Sequence, residues 1–264
     1  MKKRFLCLSG AIVLLFGAAA FALAQTADEH LKKGDEYYAQ LNDAKALEEY
    51  LAAAQADPNN FEAAWKASRS LVDVGDLVDI KVKGNEEKQK QYYKDAEKYA
   101  RKAVALNAEN TWSQFYLSAA LGKYALLQGK KEQINLSKEV RTAIDKAIEL
   151  DGTNDLAYHA LGRWHRRMAE IGGATRLVGG ILFGKIPKGS FEEAEKAFIK
   201  AIELKPDYIN HHLELARTYM SLKKWALAAQ EFEKCESLPI ALAKDNAYKE
   251  EAKAELVTAK KKMK

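Results

Sequence analysis

The sequence predicts an all-α fold built from a repeated helix pair, and three observations predict it. First, one phrase recurs five times: a small residue, three positions, an aromatic or apolar residue, two positions, a second small residue. Second, only four prolines occur among 264 residues, and Pro58, Pro206 and Pro239 each close a segment of helical period, where proline is tolerated. Third, the segments between are rich in Ala, Leu, Glu and Lys, which favour helix, and lack alternating β-branched runs.

The phrase is clearest as Ala194, Phe198, Ala201 and Pro206. The same spacing gives Ala46, Tyr50, Ala53 and Pro58; Ala96, Ala100, Ala103 and Ala108; Val140, Ile144, Ala147 and Gly152; and Ala228, Phe232, Cys235 and Ile240. Each marks the second helix of a pair. Upstream lie first helices with a small residue near the middle: Gly34 before Tyr37, Gly162 after Leu161, Ala216 before Tyr219. Small residues let antiparallel helices approach, and the aromatic fills the gap to the next pair, the logic of the tetratricopeptide repeat of about 34 residues. The expected architecture is a tetratricopeptide-like helical-hairpin solenoid of about five helix pairs. Insertions interrupt the middle three, near Val72–Asp95, Gly122–Glu139 and Ala169–Phe191, and a charged helix from about Ala241 caps the last apolar face.

Ahead of the repeats, Met1-Lys2-Lys3-Arg4 leads into an apolar run from Phe5 to Leu23 that closes on Ala22-Leu23-Ala24. This order predicts a signal peptide over residues 1–24, a mature repeat domain over 25–264 and a periplasmic or secreted protein. The alternative is an N-terminal membrane anchor. The formal net charge is +5, but three of the basic residues lie in that leader. The remainder is nearly balanced and gives no case for nucleic acid. Cys235 is the one cysteine after the leader, so no internal disulfide is expected, and its place in the phrase predicts a buried thiol.

Three stretches resemble the regulator of microtubule dynamics family: AWKASRSLVD at 64–73, YHALGRWHRRMAE at 158–170 and ILFGKIPKGSFEEAEKAF at 181–198. The likeness runs from about Ala63 to Leu256. It implies a tetratricopeptide-like binding domain with similar insertions, associated with membranes or cytoskeleton in eukaryotes and without catalytic activity. The leader marks a bacterial exported member, so the resemblance carries the fold more than the biology.

Catalytic motifs are absent from the sequence. The five histidines, His30, His159, His165, His211 and His212, show no tight ligand spacing, so neither a metal nor a cofactor is expected. No nucleophile elbow or phosphate loop occurs. What stands out is the face that first helices turn toward the groove of a solenoid. His159, Arg163, Arg166 and Arg167 fall at i, i+4, i+7 and i+8 on one helix. Matching positions on the other first helices bring Trp65, Arg69, Trp112, Phe115 and Arg217. Guanidinium groups grip carboxylate or phosphate and aromatics cover apolar surface, so these nine residues form a candidate ligand-binding surface. The competing expectation is that the arginines pair with Glu170, Glu193 and Glu195 while the aromatics pack beneath the insertions.

The third insertion, with Leu177, Val178, Ile181, Leu182 and Phe183 among glycines, is expected to fold over the groove as a lid, with a membrane contact as the alternative. Functionally, the sequence predicts a non-enzymatic scaffold that holds a peptide segment of a partner protein. The alternative is a carrier or sensor of an anionic amphiphile, a fatty acid or phospholipid, enclosed between groove and insertion.

Overall fold

A computed structural model describes residues 26–263, and the expected leader over 1–24 lies outside them. The described residues form twelve helices and no strand. In order they are α1 (26–39), α2 (Asp43–Ala56), α3 (Phe61–Asp76), α4 (Asn85–Leu106), α5 (Thr111–Ala125), α6 (Lys130–Leu150), α7 (Asp155–Ala169), α8 (Gly173–Phe183), α9 (Phe191–Leu204), α10 (Ile209–Ser221), α11 (Trp225–Ser237) and α12 (Asp245–Lys262).

Local chemistry starts several of these helices. Asn42, Asn60, Asn154 and Ser190 each accept a hydrogen bond from the backbone N–H three residues on, and Asn110 from that of Trp112. Such caps satisfy amides that a helix N-terminus leaves unpaired, each contributing about 1 kcal/mol. Asn60, Asn110 and Asn154 all end the turn that joins one pair to the next, so the cap recurs with the repeat.

Five pairs follow: α1 with α2, α3 with α4, α5 with α6, α7 with α9, and α10 with α11. First helices α3, α5, α7 and α10 touch one another in sequence, and α12 continues that inner row by packing on α10 and α11. Second helices form the outer row. The repeated phrase maps onto the seam between rows: Tyr50, Phe198 and Phe232 are fully buried, as are Ala96, Ala100, Ala103, Ala147 and Cys235. Small residues face these rings as expected. A Cβ on Gly34 would lie 2.5 Å from the Tyr50 ring and one on Gly162 2.7 Å from that of Phe198. In the second pair Gly75 meets Tyr93 in the same way, because Ala100 stands where the phrase elsewhere has a larger side chain and the ring comes from two helical turns earlier.

The first two insertions lengthen helices, α4 to 22 residues and α6 to 21 against 14 in α2, and the first also adds the connection over 77–84. The third forms α8 and an extended return to α9. Here the lid expectation fails. Among the helices, α8 packs against α6 of the outer row alone, and Leu177, Val178, Ile181 and Leu182 are exposed. The cause is local: the Arg176 guanidinium donates to the carbonyls of Met168, Ile171, Ile186 and Pro187, which folds the insertion back on its own ends at the rim.

Candidate functional site

The inner face of α7 carries the arginine row, and α10 supplies what sits opposite. Glu214 on α10 is buried, and its carboxylate accepts from Arg166 Nη2 and, at 3.2 Å, from Arg217 Nη1. Burial alone would raise its pKa, yet the surrounding Arg163, Arg166 and Arg217 hold it well below the usual carboxylate range. Arg166 also reaches Glu170 at 3.0 Å, and Arg217 reaches Glu255 at 2.6 Å and Glu251 at 2.7 Å. Two of the row are therefore neutralised from within. Of the acids expected to do this, Glu170 takes part; Glu193 binds Lys196 and Glu195 binds Lys224 instead.

Arg163 and Arg167 differ. Among the described residues neither side chain makes a hydrogen bond, nor an ion pair within 4.0 Å. Arg163 is half-buried and lies in the fields of Glu214, Tyr248 and Asp76 without touching them. Arg167 is exposed, and its pKa lies below the ordinary guanidinium value through partial desolvation and repulsion by Arg163 and Arg166. Two charges, one turn apart, thus project from α7 with no carboxylate in contact.

His159 leaves the expected site. It is buried, its Nδ1 lies 3.0 Å from His211 Nδ1, and His211 Nε2 lies 2.9 Å from Asp155 Oδ2. Burial and the neighbouring His211 and Arg163 depress its pKa far below the usual histidine value, which keeps the ring neutral. With His211 Nε2–H donating to Asp155, the neutral His211 accepts at Nδ1 and His159 donates. This chain is core structure joining α7 to α10.

The remaining candidates gather elsewhere. Trp65 stacks on Trp112 at 5.9 Å and on Tyr116 at 5.4 Å, and Phe115 meets Tyr116 at 4.8 Å. They pack with Leu156 and Ala157 at the start of α7, whereas the arginines occupy its second half. Arg69 lies 3.7 Å above the Tyr38 ring and donates to Tyr50 Oη at 2.9 Å, riveting the first pair to the second. No ring contact or hydrogen bond among the described residues joins this aromatic group to Arg163 or Arg167. The nine residues therefore divide into a stacked aromatic wall, an internal rivet, a histidine chain, two paired arginines and two unpaired ones.

A second charged cluster, absent from the sequence expectations, spans the inner surface. Asp76 at the end of α3 accepts from Tyr93 Oη, Lys123 Nζ and Lys244 Nζ, and Lys244 also lies 3.4 Å from Asp73. Burial would raise the Asp76 pKa, but the two ammonium groups hold it below the ordinary range. Burial brings Lys123 down to about 8, whereas Asp73 and Asp76 hold Lys244 above its usual value despite burial. Lys244 arrives from the approach to α12, so the C-terminal segment closes against α3. Tyr38, Asp43, Asp73, Tyr208, Lys244 and Tyr248 help to line a cavity of about 30 Å³ there, room for one or two waters and not for an acyl chain. Burial and the charge of Asp73 push Asp43 up to about 6. The insertion helix α8 packs on α6 of the outer row and contributes no lining residue to this cavity.

The model of the family described as regulator of microtubule dynamics protein 1-3 matches residues 30–260. Regulator of microtubule dynamics protein 1 of Rattus norvegicus is 28% identical over 195 residues, covering 74% of this chain and 61% of the relative. Its counterpart in Bos taurus is 25% identical over 246 residues, covering 93% and 74%. The chain spans about three fifths of the length of the rat and mouse relatives. Among solved structures, the thermophilic TPR protein TTC0263 of Thermus thermophilus superposes with a TM-score of 0.59 at 16% identity, over 88% of this chain and 98% of that one. This likeness carries the fold.

Proposed function

Because this chain belongs to the regulator of microtubule dynamics protein 1-3 family, we propose that it is a non-catalytic scaffold that grips an acidic segment of a partner protein on the inner face of α7. The observation that carries this reading is the pair Arg163 and Arg167, one helical turn apart, whose charges no carboxylate of the described chain contacts. Guanidinium groups keep their charge at any physiological pH, and two fixed at this spacing suit a carboxylate pair on an extended or helical segment. The half-buried Trp65 and Trp112 offer a second, apolar foothold farther along the inner row.

A protein segment is favoured over an enclosed amphiphile because α8 packs on α6 of the outer row. We place the mature protein outside the cytoplasm, beginning at Gln25. N-terminal sequencing that returned Met1 from a membrane fraction would overturn that placement.

The binding test is an array of twelve-residue peptides graded in glutamate and aspartate content, probed with wild type and with Arg163→Ala/Arg167→Ala. Retention should rise with acidic content in wild type and vanish in the double variant. Retention indifferent to acidic content, or equal in both proteins, would remove the anion grip.

A further inference from the structure

Residues 171–190 contain Arg176, Lys185 and Lys188 and no aspartate or glutamate. Within them α8 sets Leu177, Val178, Ile181 and Leu182 at i, i+1, i+4 and i+5, a single helix face. That face points to water: the four residues are 69%, 57%, 78% and 65% exposed. Lys185 and Lys188 are exposed beside it.

The exposure is built. Arg176 clamps four carbonyls from both ends of the excursion. Ile186 is buried, so close to Gly179 that a Cβ there would sit 2.9 Å from its Cδ1. Gly189 approaches α7 so tightly that a Cβ would lie 2.2 Å from the His165 carbonyl oxygen. A segment fastened at these points, with its aliphatic side chains outward and its one buried isoleucine inward, presents an apolar face instead of hiding one.

We propose that α8 is an interfacial docking element for an anionic bilayer. Its aliphatic face enters the boundary between headgroups and acyl chains while Lys185 and Lys188 meet lipid phosphates. Charge complementarity selects this occupant: the whole excursion is positive, and interfacial helices join an aliphatic face to lysines that reach back to the headgroups. A protein partner fits less well: of the types that anchor protein interfaces, residues 171–190 hold no Trp, Tyr or Met and one Phe, Phe183, and their single arginine, Arg176, is engaged with carbonyls of its own chain. An 11-residue helix is about 16 Å long, half the hydrocarbon thickness, so α8 lies in the interface and does not cross. Among the described residues no helix is long and apolar enough to span a membrane. The proposal does not depend on what the inner face of α7 grips, because α8 packs on the outer row.

The test is peptide-resolved hydrogen–deuterium exchange on the full chain with vesicles of phosphatidylcholine alone or mixed with phosphatidylglycerol. Peptide resolution matters because the apolar run Phe5–Leu23 can itself enter lipid. Amides of 173–183 should slow at least several-fold with anionic vesicles and not with neutral ones. Leu177→Asp/Ile181→Asp should remove this protection while exchange in α7 and α9 stays as in wild type. Lys185→Glu/Lys188→Glu should weaken it and flatten its dependence on salt. Three outcomes would overturn the assignment: no slowing with anionic vesicles, protection untouched by the aspartate pair, or protection that rises with protein concentration without vesicles, the signature of a second copy.

Discussion

The inner surface carries two charged clusters that differ in balance. Between α3, α5 and Lys244, two carboxylates meet two ammonium groups, and a tyrosine hydroxyl completes the set. Along α7 and α10, four guanidinium groups surround one buried carboxylate, and the outlying Glu170, Glu251 and Glu255 serve Arg166 and Arg217. The first cluster is closed: each charge has its counter-charge within the chain, and its work is to hold the C-terminal segment against α3. In the second, four carboxylates stand against four guanidinium groups, but all of their contacts go to Arg166 and Arg217, and Arg163 and Arg167 touch none. The two clusters thus differ in how contacts are shared: the first spreads them over both ammonium groups, and the second concentrates them on two of its four guanidinium groups.

The sharpest way to break this distinction is to remove the keystone of the closed cluster. Asp76→Ala strands Lys123 and Lys244 without their carboxylate and should cost about 3–5 kcal/mol in denaturant unfolding. The pH dependence follows from the sign. The folded Asp76 pKa lies below the unfolded value of 3.8, so its stabilisation is complete above about pH 4–5 and fades as pH falls toward the folded value. Wild type should lose stability across that acid range more steeply than Asp76→Asn. A loss under about 1 kcal/mol would mean that the cluster is not a structural latch.

The second cluster should answer chiefly in binding. Arg163→Ala/Arg167→Ala should cost about 2–5 kcal/mol in binding an acidic peptide, with only a small fall in melting temperature, because losing the attraction between Arg163 and Glu214 is partly offset by relief of the repulsion at Arg167. Arg166→Ala, which strands part of Glu214, should lower the melting temperature more. Were the double variant to lose stability and keep its binding, Arg163 and Arg167 would belong with the closed cluster.

Packing offers a control independent of charge. Gly162→Leu drives a side chain into the Phe198 ring and should cost about 1–3 kcal/mol. An unchanged melting temperature would place the close crossing elsewhere. The smallest effect is expected at Asp43, whose pKa burial and Asp73 raise to about 6. A raised carboxylate pKa means that the charged form destabilises the fold above pH 6 and that this penalty disappears below about pH 4. Asp43→Asn should therefore stabilise by about 1–2 kcal/mol at pH 8 and by nothing at pH 4. Equal gains at both would assign the effect to packing.

Much of the fold was legible in the chain because it depends on short-range rules. The phrase from Ala194 to Ala201 and its four copies name the buried seam, since residues three and four apart share a helix face whatever surrounds the helix. Gly162 could be paired with a ring for the same reason. In the second pair the reading was incomplete: the extra turns of α4 moved the ring to Tyr93, outside the spacing that marks the other pairs. At the candidate site the face of α7 was legible, and Glu214 could have been found from its inner position between His211 and Arg217.

The sequence by itself thus determined the helices, their pairing and which side of each faces its neighbours, because periodicity and capping act within a few residues. Only the tertiary structure decided which arginines are satisfied. Glu214 lies 48 residues from Arg166, Glu255 lies 38 from Arg217, and Lys244 meets Asp76 across 168. Those distances close through the curvature of the stacked pairs, to which each interface adds a small rotation, and no local pattern encodes their sum. The same holds for α8: its apolar face is written in the residues, but the Arg176 clamp and the packing against α6 turned it outward instead of over the groove.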